Sequence, residues 1–143
     1  MKDFQFVSIA TMSRAGSGFL SYLLASHEEV MTLPDIFSSD LHLLNISSFF
    51  SKTTQSEAID TYIVNHKIIF DPKSDFDRSI RFGWLNMGLD HNSSFSVDQE
   101  YFKITLIKLL SQYSISREKL YYAIHAAYYI ASGRDISKKT IIV

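Results

Sequence analysis

FVSIATMSRAGSGFLSYLLASHEEV, residues 6–30, holds the signals that decide the fold. An apolar run (Phe6, Val7, Ile9) reads as a strand, Ser13-Arg14-Ala15-Gly16-Ser17-Gly18 as a turn of small residues. Phe19, Leu20, Leu23 and Leu24 then recur at helical spacing. A strand, a glycine-bearing turn and a helix start together form a cradle for an anion. The first helical N–H groups have no partner within the helix, and the macrodipole favours negative charge at that end. Arg14 adds a permanent cation whose planar fork matches phosphate or sulfate oxygens. The same spacing also fits an ordinary strand–turn–helix corner carrying a surface arginine.

Outward from this stretch, strand one covers roughly Gln5 to Ala10 and helix one Ser17 to Ser26. Val30 to Leu33 reads as a second short strand, closed by Pro34, which disfavours helix just before it. Residues 35–50 mix apolar side chains with many serines, as a broken helix or ordered loop does. A helix starting near Thr54 carries Ile59, Tyr62 and Ile63, and Ile68-Ile69-Phe70 fits either a strand or a helix end. The glycines at 83 and 88 weaken helix over the irregular stretch 71–96. Ser96 is the expected cap of a helix from Val97 to about Tyr113. Its apolar set (Val97, Tyr101, Ile104, Leu106, Leu109, Leu110 and Tyr113) marks a wide buried face.

Ser116 caps a further helix, with Glu118 and Lys119 in its first turn and Gly133 at its stop. The four tyrosines at 121, 122, 128 and 129 fit packing rather than a base-stacking platform. Thr140-Ile141-Ile142-Val143 is a β-branched run that reads as a buried strand. Neither this run nor strand one alternates cleanly, as suits strands covered on both faces of a parallel sheet. The expectation is an α/β fold: a partial parallel sheet with a helix-rich insertion, breaking off after a central strand.

At 143 residues the chain makes one domain with room for a real core. Hydrophobic residues make up 46% and charged residues 20%, a globular balance. A formal net charge of -1 gives no electrostatic reason to expect nucleic acid or an anionic membrane as partner. Cysteine is absent, which excludes disulfides and thiolate zinc sites. The remaining histidines (His42, His66, His91 and His125) form no metal-ligand spacing, so no metal is expected. No stretch of about 18 apolar residues exists to span a membrane. No signal peptide is visible, and the expected location is cytoplasmic.

The turn resembles the phosphosulfate-binding loop of the sulfotransferase superfamily. In tyrosylprotein and many bacterial members, a strand enters Pro-Arg-Ser-Gly-Thr-Thr, followed by an apolar helix, His-Pro and an apolar pair. Arg14, Gly16 and Ser17 match by type, and His27 and Val30 fall at the family's distances. Ser13 stands in place of proline, Ala15 and Gly18 in place of hydroxyl residues, and Glu28 in place of the proline after histidine. A Walker loop is a poorer fit, since no Gly-Lys-Ser/Thr is present to hold β/γ phosphates and magnesium. A P-loop kinase is therefore the weakest of the enzyme readings.

The resemblance implies a P-loop NTPase-like topology in which residues 1–143 form the N-terminal part of a single domain. It implies transfer of a sulfuryl group from 3′-phosphoadenosine 5′-phosphosulfate to a hydroxyl or amine of a carbohydrate, peptide or small metabolite. Donor binding falls on Ser13, Arg14, Ala15, Gly16, Ser17 and Gly18, with Arg14 stabilising the leaving charge. The family's catalytic base, a glutamate after the second strand in the tyrosylprotein members, falls on Asp35. Asp35 equally suits the N-cap of a helix starting at Ile36, and His27 suits a cap at a helix C-terminus. The family's arginine and serine that hold the donor's 3′-phosphate follow the strand where this sequence stops. The expectation is thus weak or no turnover, and association of copies through an exposed terminal strand. The competing reading is a non-catalytic α/β remnant or interaction module that keeps the anion-binding corner.

Overall fold

Ile141 and Ile142 sit at the centre of the sheet, with a parallel strand on either side. A computed structural model of the chain describes residues 4–7, 20, 23–24, 27–33, 54–75, 77, 95–112 and 116–143. Within these, β1 is Gln5–Phe6, β2 is Val30–Met31 and β3 is Ile141–Ile142, in the spatial order β1-β3-β2. Phe6 and Met31 both register with Ile142, and Gln5 and Val30 with Ile141. Val7 donates to the Ile142 carbonyl at 2.8 Å, and Val143 donates to that of Met31 at 3.0 Å. The expected α/β class and parallel pairing are therefore present. In dinucleotide-binding and flavodoxin-like sheets the first two strands are neighbours; here the last described strand separates them.

Being paired on both sides, β3 offers no open edge. Association through the terminal strand, expected from the sequence, finds no free backbone groups there. The outer edge of β2 is occupied as well. Glu29 and Met31 turn their carbonyls toward β3, so Val30 and Thr32 face away. The Tyr129 hydroxyl meets them, accepting from Thr32 N–H at 3.0 Å and reaching the Val30 carbonyl at 3.5 Å. A side chain thus stands where another strand's peptide would pair.

β2 and Ile142 are buried, as a covered parallel strand should be, but β1 is not. Phe6 and Val7 remain 45% and 47% exposed, which corrects the expectation of cover on both faces. One side of β1 does pack, with Phe4 against Tyr122 (ring centroids 4.5 Å apart) and Phe6 against Tyr121 (6.0 Å).

Among the described residues, four α-helices lie between β2 and β3. Thr54 starts α1 (Gln55–Asn65) with a reciprocal cap: Glu57 N–H donates to its hydroxyl, and its own N–H donates to the Glu57 carboxylate. Such a cap stabilises a helix by about 1 kcal/mol. Ala58, Ile59, Tyr62 and Ile63 recur at helical spacing and are buried. Lys67–Phe70 forms the single turn α2, which resolves the Ile68-Ile69-Phe70 triplet as helix rather than strand.

The third helix, α3 (Gln99–Ser111), begins two residues later than the Ser96 cap predicted. Asp98 is the cap, accepting from Tyr101 N–H at 2.9 Å. Val97 is instead buried in the core, its N–H donated to the Phe70 carbonyl. The expected wide face is narrower too. Phe102, Thr105, Leu106 and Leu110 point inward, while Tyr101 and Ile104 are about half exposed, at 49% and 54%.

Ser116 caps α4 (Arg117–Ala131) as predicted, accepting from Lys119 N–H. The helix ends in a Schellman turn: Arg134 N–H donates to the Tyr129 carbonyl and Gly133 N–H to that of Ile130. Gly133 has φ +73, the left-handed conformation this turn requires. From 123 to 129 every residue of α4 is buried, because α3 covers one side and the sheet the other. Tyr128 and Tyr129 are almost wholly buried, in line with packing roles; the Tyr128 hydroxyl donates to the Ile69 carbonyl at 2.7 Å.

Candidate functional site

The carboxyl ends of the three strands lie at one edge of the sheet, because all three run parallel in level register. Ligands of open α/β sheets sit beyond this edge, where the loops emerge. With β3 between them, β1 and β2 are about 10 Å apart, twice the spacing of neighbouring strands. The chain leaves β1 through Val7 toward residues 13–18, and helical residues follow at Leu20, Leu23 and Leu24. It leaves β2 through Thr32 and Leu33, both buried, toward Asp35. Each stem is anchored, Val7 by its bond to Ile142 and Thr32 by its bond to Tyr129. Ser13, Arg14, Ala15, Gly16, Ser17, Gly18 and Asp35 themselves lie outside the described residues.

The opposite, amino-terminal edge gathers charged side chains that the sequence reading did not single out. Lys139 is only 8% exposed, and its ammonium donates to the His27 carbonyl at 2.9 Å. Burial pushes its pKa down and nearby Arg134 adds to this, while Glu28 and Asp135 oppose it. The Arg134 guanidinium and the Lys139 ammonium lie 5.2 and 5.3 Å from the centroid of the same Tyr129 ring. Both stand near the C-terminus of α4, where the dipole favours cations. This cluster braces the turn before β2 against the approach to β3, at the end of the sheet opposite the carboxyl edge.

His27 belongs to the same brace. Its N–H donates to the Leu24 carbonyl at 3.0 Å, its own carbonyl accepts from Val30, and its Nδ1 accepts from Glu29 N–H at 3.2 Å. It acts as a turn residue at the end of helical residues, consistent with the capping role weighed for it. Among the described residues no group of three or more His, Cys, Asp or Glu side chains could hold a metal ion. No helix among them is long and apolar enough to cross a membrane.

The chain matches no protein-family model, no curated protein and no solved structure. Within the described part, Tyr129 and Lys139 do the bracing that the motif reading missed. Cations just beyond a helix stop were the available signal, though nothing local distinguishes the buried Lys139 from the exposed Lys138.

Proposed function

We propose that this chain is part of a sulfotransferase-like α/β domain of P-loop NTPase-like topology, binding 3′-phosphoadenosine 5′-phosphosulfate in the turn after β1. The observation that carries the reading is the level carboxyl edge of a parallel sheet. From it the segments bearing Arg14 and Asp35 depart on either side of one central strand. In this reading the bare amides of residues 16–18 hold the 5′-phosphate. Sulfuryl transfer asks a protein for in-line placement and for stabilisation of charge on the leaving oxygen. The acceptor oxygen bonds to sulfur as the sulfur–oxygen bond to the 5′-phosphate breaks. Arg14 offsets the charge left on that phosphate, and Asp35, acting as base, takes the acceptor's proton. The acceptor is a hydroxyl or amine.

A specific observation favours a second reading. β1, the strand that feeds the turn, is half exposed at Phe6 and Val7. A sheet left open at that position suits a non-catalytic module that keeps only the anion-binding corner.

Isothermal calorimetry with 3′-phosphoadenosine 5′-phosphate separates the two. The enzymatic reading expects saturable binding that weakens at least tenfold, about 1.4 kcal/mol, in Arg14→Ala. Absence of heat at millimolar nucleotide, or equal affinity in the variant, overturns it.

A further inference from the structure

His125 is the one imidazole of the described residues that is wholly buried, and it has half of its hydrogen-bonding capacity filled. Its Nδ1 lies 2.8 Å from the Tyr121 carbonyl and donates to it, so the neutral ring presents Nε2 as a bare acceptor. Nε2 is buried and has no hydrogen-bond partner. The ring packs on that of Tyr121, with centroids 4.4 Å apart.

Helical spacing places His125 on the sheet side of α4. Tyr121, four residues before it, meets Phe6 of β1, and Tyr129, four residues after, meets the edge of β2. Among the described residues, the groups between Tyr121 and Tyr129 on this face are neutral. β1 presents Phe4 and Phe6, β2 and Leu33 present apolar side chains and Thr32, and β3 presents Ile142. Beyond Tyr129 stand two cations over its ring, Arg134 and Lys139, and the Lys139 ammonium is engaged by the His27 carbonyl. On the other side, α3 buries Phe102, Thr105, Leu106 and Leu110, and α2 offers the Ile69 carbonyl to Tyr128. α1 buries Tyr62, a neutral phenol whose pKa burial pushes up. The phenols of Tyr121 and Tyr128 are likewise pushed up by burial and stay neutral.

We propose that His125 is an acid-sensitive lock between α4 and the sheet: a proton on Nε2 creates a buried cation and a donor without an acceptor, which the closed interface does not tolerate. Relief comes when the helix parts from β1 and β2 and water reaches the ring, uncovering the aromatic surface of Phe4, Phe6, Tyr121 and Tyr122. The lock is independent of the sulfotransferase reading, since it uses no residue of the anion cradle.

Burial pushes the ring's pKa down to about 4, offset in part by the bond to Tyr121, with no charged neighbour contributing. An open or unfolded chain titrates near the ordinary value of about 6.5. The proton therefore binds the open state more tightly. Closure is undiminished above pH of about 6.5, weakens as the pH falls from there toward 4, and loses nothing further below. Across the whole window the closing equilibrium falls by about 300-fold through this one residue.

Two measurements on the full chain test the lock. Histidine ring NMR from pH 7.5 downward should show His125 neutral for as long as the folded signals persist. A folded protein in which His125 titrates near 6.5 overturns the proposal. The urea midpoint of the wild type should fall more steeply between about pH 6.5 and 4 than that of His125→Leu. Replacing the ring orphans no carbonyl, because Tyr121 still accepts from the helix N–H four residues on. Equal slopes in the two proteins overturn the proposal, and if His125→Leu does not fold, the ring titration on the wild type decides alone.

Discussion

Phe102→Ala should lower stability by about 3–5 kcal/mol, the range for emptying a buried aromatic site. Phe102 is wholly buried on α3, with its ring 4.9 Å from that of Phe70 and 6.2 Å from that of Tyr62. It thus joins three helices at one point. The aromatic contacts add to the area term, because edge-to-face rings contribute beyond simple burial. Domains of this size are stable by only about 5–15 kcal/mol, so one such cavity removes a large share. Thermal unfolding should move down by roughly 10 °C or more. Tyr101→Ala, on the exposed side of the same helix, is the control and should change little. A shift at Phe102 no larger than at Tyr101 would mean that the buried face of α3 is wrongly assigned.

Ile142→Ala should cost about 2–5 kcal/mol, again by lost transfer energy plus a residual cavity. Its consequences differ from those at Phe102. Ile142 is fully buried on the central strand, and both Phe6 and Met31 take their register from it. The chain leaves toward Arg14 and toward Asp35 just beyond those two strands. Loosening β3 therefore reaches the carboxyl edge of the sheet, whereas Phe102→Ala perturbs the helical layer. Hydrogen exchange checks this: the Val7 and Val143 amides, bonded to Ile142 and Met31 carbonyls, should lose protection first in Ile142→Ala. Unchanged protection there, with a normal urea midpoint, would show that the sheet does not depend on this side chain.

Local chemistry made much of the fold legible. Ser116 and Gly133 are a cap and a stop whose function depends only on a few neighbouring residues, and each lies where the sequence placed it, as does the start of the helix expected near Thr54. Apolar runs at Val30 and at Ile141 became strands for the same reason. What escaped was decided by tertiary contact. Ser96 and Asp98 are both good caps, and Asp98 prevails where Val97 is drawn into the core and bonded to Phe70. Tyr101 and Ile104 are apolar enough for a core, yet α3 turns Phe102 and Leu106 inward instead. No local rule places the last strand between the first two, since strand order depends on long-range pairing. Nor does one show that His125 and Lys139 are buried, because histidine is only intermediate in its burial and lysine is almost never fully buried without a partner. For the candidate site, residues 13–18 carry the motif in the sequence alone and lie outside the described residues, and the described structure supplies the carboxyl edge of the strands.

Amide NMR of the turn bears most directly on the anion cradle. Titrating 3′-phosphoadenosine 5′-phosphate into the labelled chain should move the Gly16, Ser17 and Gly18 amide signals together along one saturable curve. The same titration of Arg14→Ala should leave them nearly still. Motionless 16–18 amides in the wild type at millimolar nucleotide would contradict the cradle, and with it the proposed donor site.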